Sequence, residues 1–169
     1  ECCLGSMVIA GKTTDVVDVS RILSDLVDQA IADHRMRNTK GAPRNLLLAE
    51  DSPFFRNITE PLLAAAGYNV TSVENGEEAL ELLSQYPNRF HLLVTDIEMP
   101  NMDGLQLTTA CRNHPVLRTL PIVAYTASES QETMERTRMA GVNACILKTD
   151  RPGLLEAVAH HLTVREMAA

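Results

Sequence analysis

The sequence contains no tryptophan, and aromatic residues account for only 4% of its 169 residues. Its four cysteines show neither Cys-x-x-Cys spacing nor a cysteine and histidine ligand pattern, so a disulfide scaffold and a cysteine-based metal site are excluded. No apolar run approaches the roughly 18 residues of a membrane span, and the N-terminus lacks the basic-then-apolar order of a signal peptide. We therefore expect a cytoplasmic protein without direct membrane contact.

Basic residues are also few, because 15 lysines and arginines oppose 22 aspartates and glutamates, giving a formal net charge of −7. This sign disfavours binding to nucleic acid and to anionic lipid. Hydrophobic residues make up 45% of the chain, with only eight glycines and eight prolines, which excludes disordered and collagen-like classes. The length and composition predict a soluble globular domain with a small appendage.

A polar stretch without apolar periodicity divides the chain, and we assign residues 35–44 to a linker. Residues 1–34 predict two short strands around a turn at 10–12, followed by an amphipathic helix over 21–33. A hairpin with one helix cannot bury such an apolar stripe alone, so we interpret this segment as the end of a larger domain. The stripe would pack on that domain, on the domain that follows, or on a second copy in a dimer.

Residues 45–165 form the second predicted domain, in which short apolar runs alternate with helix-like segments. Continuous apolar runs of four to six residues are typical of strands buried on both faces, and alternation with helices implies parallel strands joined by helical crossovers. We predict an α/β fold with a doubly wound, five-stranded parallel sheet. The predicted strands cover residues 45–49, 68–73, 91–95, 121–126 and 144–147.

Helix boundaries agree with this pattern. Ser52 can cap a helix that has Pro53 at its first position, Gly67 can end that helix, and Asp150 can cap the last helix. Pro61 lies inside the first helix, where it removes a hydrogen bond to about Asn57. We expect a kink there, at a cost of about 3 kcal/mol before compensation.

Polar residues stand at the carboxyl ends of four predicted strands, where parallel α/β sheets bind ligands. Glu50 and Asp51 follow the first strand and Asp96 follows the third, and three carboxylates at one edge require a cation, for which Mg²⁺ suits oxygen ligands. Thr126 ends the fourth strand and Lys148 follows the fifth, so they can contact the oxygens of a phosphoryl group. With Mg²⁺ present, Asp96 becomes a plausible nucleophile, since carboxylates form acyl phosphates.

The segments LLLAEDSPFFR, TDIEMPNMDG, PIVAYTA and ILK, in this order and spacing, resemble the receiver domain of two-component response regulators over about residues 44–164. The resemblance implies a flavodoxin-like (βα)5 fold and implies that Asp96 accepts a phosphoryl group from a phosphohistidine. It also implies that Thr126 and Lys148 contact the phosphoryl oxygens and that Thr126 moves on phosphorylation. The implied Mg²⁺ ligands are Asp51, Asp96, the backbone carbonyl of Glu98 and, from the inner or outer shell, Glu50.

Three positions depart from the usual pattern of that family. Cys145 occupies the switch-region position that often holds an aromatic residue, so an aromatic switch is absent or carried elsewhere, and we interpret Cys145 as a small buried hydrophobe. Thr149 replaces the usual proline after the lysine, which favours a trans peptide there. Glu98 adds a carboxylate near the pocket mouth that could slow or redirect attacking water.

The segment GSMVIAGKTTDVVDVSRIL resembles the last strands and helix of the coupling-protein-like regulatory domain that ends chemotaxis histidine kinases. Together with the receiver it implies the C-terminal part of a hybrid chemotaxis-type histidine kinase. The receiver would then serve a phosphorelay as output or phosphate sink, with a histidine kinase or histidine phosphotransfer domain as partner, in cis or in trans. The fragment alone would be a phosphoacceptor with at most slow self-dephosphorylation, while the full-length protein would be the kinase. A coupling-protein-plus-receiver adaptor would look nearly the same.

Two other functions remain alternatives at this point. A receiver-fold module that binds a protein partner without phosphorylation would fit the departures at Cys145, Thr149 and Glu98. An Mg²⁺-dependent phosphohydrolase is disfavoured, because its DxD motif would follow the first strand and it would need a substrate pocket or cap.

Overall fold

The computed structural model describes residues 3–9, 12–17, 43–128 and 130–167. The helix predicted over 21–33 and most of the predicted linker, residues 35–42, lie outside the described residues. At the N-terminus, β1 (Cys3–Ile9) and β2 (Lys12–Val17) form an antiparallel pair. The two predicted strands are therefore present, although β1 begins at Cys3 rather than at Met7.

The second part of the chain contains five parallel strands: β3 (Asn45–Ala49), β4 (Asn69–Val73), β5 (Leu92–Thr95), β6 (Ile122–Thr126) and β7 (Ala144–Leu147). They form one sheet with the strand order β4-β3-β5-β6-β7. The doubly wound parallel fold predicted from the alternating pattern is thus confirmed. The helices are α1 (Pro53–Ala65), α2 (Gly76–Gln85), α3 (Gly104–Asn113), α4 (Gln131–Ala140) and α5 (Arg151–Met167), with a short 3-10 helix over Leu117–Thr119.

The sheet is buried on both faces, which explains why its strands read as continuous apolar runs. Along β3, Leu46 and Leu48 pack with residues of α1 and α5, whereas Leu47 and Ala49 pack with residues of α2 and α3. All four are at most 1% exposed. A third and smaller cluster beneath α4 contains Ile97, Leu105 and Ala124, with Cys145 packed against it. Within the described residues, no helix is both long enough and apolar enough to cross a membrane.

The predicted helix boundaries are largely confirmed. Ser52 and Pro53 open α1, but the Ser52 side chain makes no capping hydrogen bond. Gly67 follows the end of α1 with φ 96°, a left-handed conformation that glycine adopts without steric cost. Asp150 caps α5 by accepting a hydrogen bond from Gly153 N at 2.9 Å. The helix α1 continues through Pro61 to Ala65.

Candidate functional site

The acidic residues predicted to meet at the carboxyl edge of the sheet do so. Ala49 at the end of β3 pairs with Thr95 at the end of β5, and Asp96 N donates a hydrogen bond to Ala49 O at 2.8 Å. This register brings the residues that follow the two strands side by side. Glu50, Asp51 and Asp96 each offer a carboxylate oxygen, and these oxygens lie within 4.8 Å of one another.

Lys148 lies among these carboxylates. Its backbone N donates to Thr126 O at 2.8 Å, which continues the pairing of β6 and β7 and fixes the start of the side chain. Its ammonium nitrogen Nζ stands 2.6 Å from Asp96 Oδ2 and 2.9 Å from Glu50 Oε1. The lysine side chain is only 5% exposed, so one buried cation holds two carboxylates.

The Asp96 carboxylate is held from both sides. Oδ2 accepts from Lys148 at 2.6 Å, and Oδ1 accepts from the backbone N of Ile97 at 2.6 Å. Gly104 at the start of α3 lies so close to this loop that an added Cβ would overlap Asp96 O and stand 3.1 Å from Ile97 Cα. A hydrogen bond of 2.9 Å from Gly104 N to Ile97 O secures the contact. The first turn of α3 therefore fixes the loop that carries Asp96.

The net charge of the cluster favours binding of a divalent cation. Glu50 is fully buried, and this burial raises the pKa of its carboxyl group, while the hydrogen bond from Lys148 opposes the rise. Its Oε2 atom lies 2.8 Å from Lys148 Nζ but accepts no hydrogen bond from any described residue. With all three carboxylates ionised, the cluster and the Lys148 ammonium would together carry a net charge of −2, which one Mg²⁺ ion would balance. The three oxygen donors therefore fit a hard divalent ion.

Thr126 ends β6, which lies between β5 and β7, so it shares the edge with Asp96 and Lys148. The residue is 3% exposed, and its hydroxyl oxygen accepts a hydrogen bond from Ser128 N at 3.2 Å. All four predicted strand-end positions thus lie at the same edge of the sheet.

The three positions that depart from the family pattern, Glu98, Cys145 and Thr149, differ from one another in their surroundings. The Glu98 side chain is exposed and lies outside the cluster of three carboxylates. Cys145 is partly buried, and burial raises the pKa of its thiol, as expected of a packed rather than a reactive cysteine. The Lys148–Thr149 peptide is trans, since no described residue follows a cis bond.

Three residues that contact the site were not predicted as part of it. The ring of Phe55 lies against the Lys148 ammonium, with 4.1 Å between Nζ and the ring centroid. Arg56 donates to Glu50 O at 3.0 Å and pairs with Glu74, also at 3.0 Å. Tyr125 donates its hydroxyl to Lys148 O at 3.0 Å. A signal for the first two was available, because they lie in the first turn of the helix that follows Glu50 and Asp51.

Residues 46–159 match the family model of the response regulator receiver domain. The chain is 31% identical over 121 residues to the polar-differentiation response regulator DivK of Brucella anthropi, covering 71% of this chain and 97% of DivK. It is 35% identical over 118 residues to the CAI-1 autoinducer sensor kinase/phosphatase CqsS of Vibrio cholerae, covering 69% of this chain but only 17% of that kinase. The chain therefore spans less than a fifth of the length of this relative.

A crystallised receiver domain of a sensor histidine kinase from Pseudomonas aeruginosa, with a magnesium ion coordinated in its active site cleft, superimposes with a TM-score of 0.66. It is 30% identical, and the match covers 72% of this chain and 99% of that domain. Receivers of sensor kinases and a free-standing regulator are thus both similar to this chain. The family match over residues 46–159, the order of the strands in the sheet and the acidic residues at the strand ends all agree. The chain therefore belongs to the response regulator receiver family and contains a receiver domain of two-component signalling.

Proposed function

We propose that Asp96 is the phosphoacceptor of this receiver and takes its phosphoryl group from a phosphohistidine of a histidine kinase or a histidine phosphotransfer domain. The observation that carries the proposal is the buried Lys148 ammonium, which bridges Asp96 and Glu50 beside Asp51. A carboxylate held between a backbone N–H and an ammonium is oriented before the donor arrives.

In the transfer, an Asp96 carboxylate oxygen attacks the phosphorus atom and forms the new oxygen–phosphorus bond. The bond between phosphorus and the histidine nitrogen breaks, and its electron pair returns to the imidazole. Lys148 then contacts a phosphoryl oxygen in place of one of its present carboxylate partners, and the Thr126 hydroxyl donates to another. Both groups stabilise negative charge on the equatorial oxygens during transfer.

The proposed Mg²⁺ ligands are Asp51, Asp96 and the backbone carbonyl of Glu98, with Glu50 in the inner or outer shell. The net negative charge of the three carboxylates and the Lys148 ammonium supports this assignment, as does the placement of three carboxylate oxygens within 4.8 Å of one another. When bound, the ion supplies positive charge that offsets the repulsion between the carboxylates and the incoming phosphoryl group.

The wider context of the chain is also part of the proposal. We assign residues 1–34 to the end of a coupling-protein-like regulatory domain, residues 35–44 to a linker and residues 45–165 to the receiver. This arrangement would make the chain the C-terminal part of a cytoplasmic hybrid chemotaxis-type histidine kinase, in which the receiver acts as output or phosphate sink. The antiparallel β1 and β2 pair and the similarity to receivers of sensor kinases support this context.

Intact mass spectrometry after exposure to phosphoramidate and Mg²⁺ tests the phosphoacceptor. We expect the wild type to gain the mass of one phosphoryl group and Asp96→Asn to gain none, because an amide oxygen is a poor nucleophile. Asp103→Asn is the matched control, since this aspartate caps α3 and asparagine caps helices equally well. Labelling of Asp96→Asn would refute the assignment, whereas an unlabelled wild type would favour a binding module that works without phosphorylation.

A further inference from the structure

The Lys148 ammonium has a third neighbour besides its two carboxylates. The centroid of the Phe55 ring lies 4.1 Å from Nζ, at cation–π distance. Because the lysine side chain is 5% exposed, little water can take the place of this contact. An aromatic face attracts a desolvated cation through its quadrupole, which an aliphatic side chain does not have.

The position of Phe55 follows from the first turn of α1. Pro53 opens this helix one residue after the acidic pair, with Ser52 between them, so the next two residues lie at the same edge of the sheet as the site. Phe54 is 67% exposed, while Phe55 is partly buried. The two rings meet edge to face, with centroids 5.2 Å apart and planes at 78°. The Phe55 ring therefore has two neighbours, the ring of Phe54 and the ammonium group of Lys148.

We propose that Phe55 is a positioning residue, whose ring keeps the Lys148 ammonium between Asp96 and Glu50 where it can meet a phosphoryl group on Asp96. This inference rests on the proposed phosphoryl transfer to Asp96. The ammonium has two carboxylate partners, and only positions near Asp96 bring it into contact with the transferred group. Without the ring, one side of the ammonium loses its partner, and the long lysine side chain gains freedom to turn toward Glu50 or the solvent.

This role differs from simple packing in a way that can be measured. A leucine at position 55 fills much of the same volume but has no quadrupole, whereas tryptophan offers the strongest cation–π face. Fluorine atoms on the ring weaken its negative face step by step with little change in shape. A packing role predicts little effect of fluorination, while a positioning role through the ring face predicts a graded one.

The first experiment replaces Phe55 with mono-, di- and trifluorinated phenylalanine and measures the rate of labelling by phosphoramidate at saturating Mg²⁺. We expect the logarithm of the rate to fall with each added fluorine. The same series at Phe90 is the matched control, because this buried ring lies in the cluster with α2 and α3 and its cation neighbour is Arg89, not Lys148, and we expect a flat response there. A flat response at both positions in a protein that becomes labelled would overturn the inference.

The second experiment compares Phe55→Leu with Phe55→Trp. We expect Phe55→Leu to slow labelling roughly three- to tenfold and Phe55→Trp to remain near the wild-type rate. NMR gives a readout that does not need phosphorylation, since a ring at this distance moves the Lys148 ε-methylene protons upfield. Phe55→Leu should remove that shift.

The outcomes separate the two proposals. A wild type with the upfield shift but no label would contradict the phosphoacceptor assignment and with it any role of Phe55 in transfer. A labelled wild type without the upfield shift would contradict the Phe55 contact alone. Equal labelling of wild type and Phe55→Leu would show that Lys148 is positioned by its carboxylates without the ring.

Discussion

At the scale of single residues, Lys148 stabilises the buried carboxylates of Glu50 and Asp96, and in the transfer that we propose it also supplies a cation for the phosphoryl oxygens. Its contacts with Glu50 and Asp96 hold together side chains that would otherwise repel one another. Removing one partner of a buried ion pair costs about 3–5 kcal/mol, since the remaining charge is left without compensation. A substitution of Lys148 would thus change both the free energy of unfolding and the labelling of Asp96. Substitutions that leave the charges of the site intact separate these two effects.

Gly104→Ala is such a variant. The added methyl group would overlap the carbonyl oxygen of Asp96, which is backbone and cannot rotate away. We expect the loop that carries Asp96 to shift, the free energy of unfolding to fall by about 1–3 kcal/mol, and labelling by phosphoramidate to slow. Urea unfolding and intact mass measure the two effects.

Gly153→Ala in the first turn of α5 is the control for this substitution. Its added methyl group would meet the Asp150 carboxylate, a side chain that can rotate at the expense of its capping hydrogen bond. We expect a smaller loss of stability and unchanged labelling. If Gly104→Ala were as stable and as readily labelled as the wild type, the close approach of α3 would have no part in holding Asp96.

His91 should make the stability of the receiver depend on pH. Burial lowers the pKa of its imidazole below the usual value of 6.5; a hydrogen bond with the Asn45 backbone opposes this fall, and the nearby positive charges of Arg44 and Arg165 add to it. The unfolded chain therefore binds the proton more readily than the folded one, so stability is lost as the pH falls below about 6.5. Asn45 N also lies 3.1 Å from Nδ1, an acceptor that protonation would remove.

His91→Asn keeps a hydrogen-bond acceptor near this position but has no proton to gain. We expect its free energy of unfolding to fall less than that of the wild type between about pH 7.5 and about pH 5.5, the range in which histidine titrates. Urea titrations at the two pH values measure this difference. Equal losses in both proteins would assign the pH dependence to other groups.

At the scale of elements, hydrophobic pattern was sufficient to predict the sheet, because strands covered on both faces leave an uninterrupted apolar run. The starts of β4 and β6 lie one residue later than predicted for local reasons. Tyr68 N bonds to Leu63 O at the end of α1, and Pro121 has no N–H to give to a neighbouring strand. The pattern identifies apolar residues but not the hydrogen bonds that decide where a strand begins.

The site was predictable to a similar extent. Residues at strand ends were identified because a parallel sheet brings its carboxyl ends to one edge. The first turn of α1 could be placed near the site, but the contact of Phe55 with Lys148 could not be predicted, since it depends on the direction in which that turn leaves the sheet. Arg112 is another example, because its guanidinium bonds to Leu120 O and Gly141 O, two carbonyls in loops that only the folded chain brings together.

Pro61 offers a test of how α1 tolerates a proline in its interior. The helix continues through this exposed position although proline cannot donate to the carbonyl of Asn57. We expect Pro61→Ala to restore that hydrogen bond and to raise the free energy of unfolding by up to about 3 kcal/mol. Pro53→Ala is the control, because the first N–H of a helix has no partner within the helix and little is gained there. A Pro61→Ala protein no more stable than the wild type would mean that the surrounding packing already compensates for the proline.

For the whole molecule, the question is whether residues 43–169 are complete as a receiver. Among the residues whose burial the structure describes, the buried members of the three hydrophobic clusters come from residues 46–162, a continuous stretch that begins after the predicted linker. The carboxylates, Thr126 and Lys148 likewise lie between residues 50 and 148. Both observations favour a receiver that folds and is labelled without residues 1–42.

We expect a fragment of residues 43–169 to unfold with a free energy within about 0.5 kcal/mol of the whole chain's receiver and to be labelled at the same rate. Tyrosine fluorescence during urea unfolding measures this cleanly, because the chain has no tryptophan and its three tyrosines, Tyr68, Tyr86 and Tyr125, all lie in the receiver. The signal therefore reports the same domain in both proteins. A loss of more than about 1 kcal/mol, well beyond the effect of a distant change, would show that the apolar stripe predicted over 21–33 packs on the receiver. Equal stability would leave that stripe for the domain we propose upstream or for a second copy, which the sedimentation behaviour of the whole chain would then distinguish.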